Sequence, residues 1–158
     1  MKEINIESKI YFGQLAEFSK EDQELIAYAI EALDNSYAKY SNFNVGAAIR
    51  LSDGKIIKGA NQENASFPAG LCAERTAIFA AQAQYPDLSI TALAVAARNC
   101  SGILNKPITP CGICRQTIQE IESRYHKPVR ILLYGKDGVY ALDGINKLLP
   151  LSFIGDDL

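Results

Sequence analysis

Cys111-Gly112-Ile113-Cys114 carries the densest chemistry in the chain. Two thiols three residues apart at the start of a helix share one face, so both sulfurs can meet one ion. Helix-start amides also favour the thiolate, the form that binds metal. Cys72 opens a second, Ala-rich helix behind Gly70. Three thiolates from two helix starts can therefore converge on one Zn²⁺, which suits them better than magnesium or calcium does. Three protein ligands leave a fourth position for water, the mark of a catalytic rather than a structural site. Glu74 stands two residues after Cys72, roughly 200° around a helix axis. It therefore reads as a neighbouring acid and not as a ligand. A bound water beside a carboxylate is an arrangement for attack on an electrophilic carbon.

The same cysteines admit two other readings. A Cys-x-x-Cys pair also suits redox work, although thioredoxin-type pairs come early, after a first strand, and this one comes late, after Pro110. A structural four-cysteine zinc site would recruit Cys100, eleven residues before Cys111. Cys100 reads instead as a loop or buried thiol. His126 is the only histidine and lies in the polar run Ser-Arg-Tyr-His-Lys-Pro, so it reads as a surface residue.

The elements that must position these groups are visible in the pattern. Ser19 caps a helix whose Leu25, Ile26, Ala29, Ile30 and Leu33 recur at helical spacing, running to about Ala38. Val45, Ala47, Ile49 and Leu51 alternate as in a strand, and after the Ser52–Lys55 turn Ile56–Gly59 returns as a second. Asn61–Gly70 reads as a loop, Cys72–Gln84 as a helix and Ile90–Ala97 as a buried strand. Gly102–Thr109 reads as a loop and Cys111–Arg124 as a helix. Val129–Tyr134 and Val139–Leu142 are the fourth and fifth strands, antiparallel across the turn at Gly135–Gly138. A last short helix is expected over Asp143–Leu149, before Pro150. Helices alternating with strands imply an α/β sandwich around one sheet.

Composition bounds the function. The chain has 158 residues, 48% hydrophobic and 22% charged, enough for one domain over 1–158 with a real core. No repeat, low-complexity segment or linker divides it. No uncharged apolar run approaches the roughly 20 residues of a membrane helix. The opening Met-Lys-Glu-Ile-Asn-Ile-Glu is unlike a signal peptide, so a cytoplasmic protein is expected, with reduced thiols. A net charge of −2 exerts no general pull on nucleic acid.

Taken together, Cys72-Ala73-Glu74 and Pro110-Cys111-Gly112-Ile113-Cys114 resemble the zinc deaminase signature, with Cys in place of its first His. Tyr40-Ser-Asn-Phe-Asn-Val-Gly-Ala-Ala48, Gly59-Ala-Asn-Gln-Glu-Asn-Ala-Ser66, Cys72–Ala77 and Pro110–Gln116 stand in the order found in the small cytidine deaminases of nucleoside salvage. The resemblance extends to Leu148-Leu149-Pro150 and Ser152-Phe153. It implies a three-layer α/β/α sandwich around one mixed five-stranded sheet, and one zinc per subunit held by Cys72, Cys111 and Cys114. It also implies hydrolysis of cytidine and 2′-deoxycytidine to uridine and 2′-deoxyuridine with release of ammonia, as part of pyrimidine salvage. Glu74 would shuttle protons, and Asn61 and Glu63 would hold the ribose hydroxyls. Phe43 would pack on the nucleoside, the Ala73 amide would contact the base, and the Thr109 carbonyl would receive the leaving amine. Phe153 would reach a neighbour's site in a homotetramer.

Arg75 has a physical role beside these. Three thiolates and Zn²⁺ sum to a net charge of minus one, which makes a bound water less acidic. A guanidinium hydrogen-bonded to the sulfurs offsets that. The chain departs from the resemblance at Phe67, where many relatives carry Tyr, and at Thr109, where Ser is common. Two competing functions remain: a deaminase of another cyclic amidine such as blasticidin S, and a zinc-stapled interaction domain in which Glu74 is dispensable. An editing deaminase of nucleic acid fits poorly, because the chain is acidic and lacks a basic, aromatic stripe.

Overall fold

In the computed structural model, which describes residues 1–155, Ser19 opens the first helix. Its hydroxyl accepts the Asp22 N–H at 3.1 Å, satisfying one of the amides that a helix start leaves unpaired. The helix, α1, spans Lys20–Ala32. A 3₁₀ turn over Leu33–Asn35 then ends it, short of the Ala38 expected from the pattern. Asn35-Ser36 favours a turn over continued helix.

One sheet lies behind it. Its strands are β1 (Tyr11–Gly13), β2 (Asn44–Leu51), β3 (Ile56–Ala60), β4 (Ile90–Asn99), β5 (Gly102–Ile103), β6 (Arg130–Gly135) and β7 (Gly138–Asp143). Their order is β1-β7-β6-β4-β2-β3, with the two-residue β5 pairing the end of β4. Only β4 and β6 run parallel, joined across the helix α3 (Gly112–Tyr125), while β6 and β7 form an antiparallel hairpin. The sheet is therefore mixed, as expected, but has seven strands and not five. The additional two are β1, three residues with no turn signal around them, and β5, a pair of residues inside the stretch expected to be loop. The helix expected over Asp143–Leu149 is a single 3₁₀ turn at Ile145–Lys147.

Alternation along the strands builds two cores. Ala47, Ile49 and Leu51 of β2, with Leu93, Val95, Ile131 and Leu133, face α3 and the helix α2 (Ala73–Gln84). Ala48, Ala92, Ala94, Ala96 and Leu132 face Leu25, Ile26 and Ala29 of α1. This is the expected three-layer sandwich. The α1 side is lined with alanine, which lets the helix approach closely. At Gly46 the approach is closer still, since a Cβ there would lie 2.1 Å from the Ala29 carbonyl oxygen. Gly59 does the same for α2, where a Cβ would meet the Ala77 nitrogen at 2.4 Å. Asp22, nearly buried, ties α1 to β6 through the Arg130 guanidinium, with Nη2 2.9 Å from Oδ2. Among the described residues no helix is long and apolar enough to cross a membrane.

Candidate active site and metal centre

The segment before α2 is stitched into place by backbone. Gln62 and Leu71 exchange hydrogen bonds at 2.9 and 3.0 Å, and Tyr37 takes the Asn61 carbonyl at 2.9 Å. With α2 pressed onto Gly59, its first turn is delivered to one end of the sheet. Cys72 is the N-cap of α2 and Cys111 the N-cap of α3; Cys114 lies in the first turn of α3, fully buried. The three sulfurs lie within 4.8 Å of one another, and those of Cys72 and Cys111 are 3.8 Å apart. Thiolates held about 2.3 Å from a tetrahedral zinc stand about 3.8 Å apart, so the sulfurs already have the spacing of a zinc cradle.

The electrostatics point the same way. The Cys114 thiol donating to Cys72, with help from Arg75 and Cys111, holds Cys72 down to about 5 against the opposing effect of burial. Cys114 is pushed up by giving its proton to Cys72, by burial and by the charge of Glu74. Sulfurs this close cannot all ionise unless a cation sits among them. A divalent soft-acid ion removes that conflict, so the donor set fits zinc. Cys100 is exposed and outside this cluster.

Arg75 turns back over the cradle. Its Nη2 lies 3.1 Å from the Gly70 carbonyl oxygen and 3.9 Å from Cys72 Sγ, while its buried Nε has no partner. Glu74 is 4% exposed. Burial pushes its carboxyl above the usual range, with the nearby Cys72 charge adding to the effect. It is thus an acid poised to hold a proton, at the floor of a cleft of about 380 Å³, a size common for small-molecule sites.

Asn61, Glu63, Ala73, Arg75, Thr109 and Cys111 line that cleft with Cys72 and Glu74. Asn61 is held on both sides of its amide. Oδ1 accepts from Val45 N–H at 2.8 Å and from the Ser36 hydroxyl, and Nδ2 donates to the Phe43 carbonyl at 2.9 Å. Glu63 accepts from the Tyr40 and Ser41 amides at 2.6 and 3.3 Å and from the Ser41 hydroxyl. Those bonds hold its carboxyl below the usual range, the Ser41 hydroxyl most of all. Phe43 is half-buried beside the cleft, whose lining does not include it. Phe153 is exposed at the flank of α3, its carbonyl accepting from Gln116 Nε2 at 2.9 Å, away from this chain's own cleft.

Three contributions escape a reading by motif. Tyr40 and Phe67 meet edge to face, centroids 6.2 Å apart, and form an aromatic wall. Val45, Leu71 and Ile108 supply the apolar remainder. Arg115 positions Thr109: it donates to the Pro110 carbonyl at 2.8 Å, the Leu148 carbonyl at 2.7 Å and Thr109 Oγ1 at 3.2 Å. A helix-surface arginine carries no sign in the sequence of what its far end reaches. Tyr40 and Phe67 lay within quoted or noted segments, yet nothing in their spacing brings the two rings together.

The chain is similar to known proteins in sequence and in fold. Residues 19–127 match the family described as the cytidine and deoxycytidylate deaminase zinc-binding region. The cytidine deaminase of Halalkalibacterium halodurans is 38% identical over 136 residues, covering 86% of this chain and 96% of that protein. The cytidine deaminase of Sporosarcina psychrophila is likewise 38% identical over 136 residues, covering 86% and 93%. The crystal structure of cytidine deaminase from Burkholderia pseudomallei superposes with a TM-score of 0.70 at 38% identity, over 82% of this chain and 97% of that one.

Proposed function

The chain belongs to the cytidine and deoxycytidylate deaminase family, and we propose that it hydrolyses cytidine and 2′-deoxycytidine to the uridines and ammonia. The observation that carries this reading is the buried Glu74 beside three converging sulfurs at the floor of a nucleoside-sized cleft. Zinc held by Cys72, Cys111 and Cys114 would supply a water acidified for attack at neutral pH.

The chain's own residues do the rest. Glu74 accepts a proton as the water oxygen attacks C4 of the base. It delivers that proton to N3, then takes the remaining proton of the new C4 hydroxyl and passes it to the 4-amino group, so that the C4–N bond breaks, ammonia departs and the C4 carbonyl of the uridine forms. A carboxyl whose pKa burial has raised suits both roles, because it can hold a proton between the two steps. The Ala73 amide, at the start of α2, contacts the base, and the carbonyl of Thr109, a residue whose hydroxyl and neighbouring Pro110 carbonyl Arg115 holds, receives the leaving amine.

Asn61 and Glu63 hold the sugar with what their internal bonds leave over. Asn61 has one N–H uncommitted, and the Glu63 carboxylate has one acceptor site left after three bonds. One donor and one acceptor, both held in place, match ribose hydroxyls. Phe43 packs near the nucleoside. Phe153, exposed and not among the residues that line its own cleft, completes a neighbour's in a homotetramer. Arg75 offsets the thiolate charge. The enzyme acts on free nucleosides in the cytoplasm as part of pyrimidine salvage. Incubating purified protein with cytidine and 2′-deoxycytidine and measuring uridine and ammonia tests the reading; no ammonia from either, with zinc bound, overturns it.

A further inference from the structure

The family match begins at residue 19, so residues 1–18 lie outside it. Tyr11–Gly13 of that segment form β1, which pairs β7 with Tyr11 opposite Ala141 and Phe12 opposite Tyr140. The Phe12 and Tyr140 rings touch, with centroids 5.1 Å apart, on the side of the sheet that carries α2 and α3. Upstream the chain leaves the sheet. β7 ends at Asp143, and Gly144 turns away at φ +87°. Residues 1–10 belong to no element and every one is exposed.

Their pattern is nevertheless that of a strand. Ile4, Ile6, Ile10 and Phe12 occupy even positions, with Lys2 before them and Ser8 among them, while Glu3, Asn5, Glu7 and Lys9 occupy odd ones. Alternation of this kind marks a strand with one face covered. Here that face is open: Ile4 is 76% exposed, Ile6 50%, Ile10 44% and Phe12 55%. A row of branched side chains along an exposed segment outside every helix and strand is a template for another strand.

We propose that residues 2–10 pair antiparallel with the same residues of a second copy of this chain, about a two-fold axis through Ile6. The charges select this partner and this register. With Ile6 opposite Ile6, Glu3 faces the partner's Lys9 and Lys9 faces the partner's Glu3, on one side of the ribbon. A slip of two residues one way sets Glu3 against the partner's Glu7; the other way sets Glu7 against its own copy. A slip of one sets Ile4, near the middle of the ribbon, against a charged Lys9 or Glu7, whereas in the proposed register Ile4 faces Ser8 and an isoleucine meets a charge only at the ends, where Ile10 faces Lys2. Like charges directly opposite destabilise a pair and unlike charges stabilise it. The isoleucines of both copies share the opposite side, continuous with Phe12 and Tyr140. A lone two-stranded ribbon is marginal, but each end of this one runs into β1, which is already anchored in a sheet.

Cysteine cross-linking tests the register in the full, zinc-loaded chain with Cys100 replaced by Ser. Opposed Cα atoms across an antiparallel pair lie about 4.5–5.5 Å apart, inside disulfide range. Under mild oxidation Ile6→Cys should give a cross-linked dimer at least about tenfold faster than Ser8→Cys, because proximity sets the effective concentration of the two thiols. The two Ser8 positions would stand about 13 Å apart along the ribbon. Association measured by sedimentation should weaken with Glu3→Lys and with Lys9→Glu, and recover in the double variant, where the pair is restored with its signs exchanged. Equal cross-linking at both positions, cross-links to a different protein only, or a double variant no better than the singles would overturn the proposal. Glu3, Ile6, Ser8 and Lys9 lie outside the residues that match the family, and Cys100 is exposed and outside the sulfur cluster, so these substitutions leave the core and the cradle untouched.

Discussion

The Arg75 guanidinium lies 3.9 Å from Cys72 Sγ and 3.1 Å from the Gly70 carbonyl oxygen, so one side chain ties the zinc cradle to the loop before α2. Its charge acts on Cys72 and Cys114 and helps hold Cys72 as a thiolate. Arg75→Gln should therefore weaken zinc binding or activity by about 10–100-fold, the usual cost of losing such a supporting contact. Competition with a chelator, alongside turnover, measures both. Lys should rescue only part of the loss, since an ammonium cannot bond carbonyl and sulfur in the same fork.

One zinc per chain is expected by elemental analysis. Cys72→Ala, Cys111→Ala and Cys114→Ala should each lose it, because two thiolates and a water form a far weaker site. Cys100→Ala should keep it, since Cys100 is exposed and outside the cluster. Metal lost from Cys100→Ala and kept by Cys72→Ala would reverse the assignment.

Glu74→Gln preserves shape but can neither accept nor deliver the proton. General acid–base roles contribute roughly 10²–10⁴-fold each. The substitution should cost at least about 10³-fold in kcat, or about 4 kcal/mol. Zinc should stay and nucleoside binding should weaken less than turnover. Activity within tenfold of the wild type would point to an interaction domain with incidental turnover.

Asn61→Ala should lower stability as well as raise KM. Its amide joins Ser36, Val45 and Phe43. Stranding a part-buried partner costs about 1–3 kcal/mol. A thermal melt and a KM on the same sample separate this from a purely sugar-binding role, which would leave the melt unchanged.

Removing residues 152–158 should reduce activity and leave the fold intact. Ser152 and Phe153 meet the body through Gln119 and Gln116 on the outside of α3, not through the core. Circular dichroism, sedimentation and turnover on the truncated protein are the measurements. Full activity from the truncated chain would count against a shared site.

The sequence by itself determined the chemistry and the order of the parts. Cys72, Cys111 and Cys114 declare a metal through residue type and local spacing, because a helix start fixes where residues three apart must point. Glu74 is legible as the acid for the same reason, and Ser19 as a helix cap because its partner, Asp22, lies within one turn. Alternation along Val45, Ala47, Ile49 and Leu51 likewise marks the buried face of β2, since a strand's two faces follow from a period of two.

Tertiary structure decided what depends on distance through space. That Cys72 Sγ stands 3.8 Å from Cys111 Sγ, across 39 positions of sequence, follows from α2 seating on Gly59 and α3 crossing between parallel β4 and β6. That Arg115 serves Thr109, and that Tyr40 meets Phe67, follows from the packing of loops whose own residues carry no periodic signal. The alternation through Ile10 and Phe12 does not say where pairing begins; β7 decides that Tyr11–Gly13 join the sheet. Local rules act within a turn of helix or a strand's pleat; beyond that reach, only the summed packing of the whole chain sets where a side chain ends.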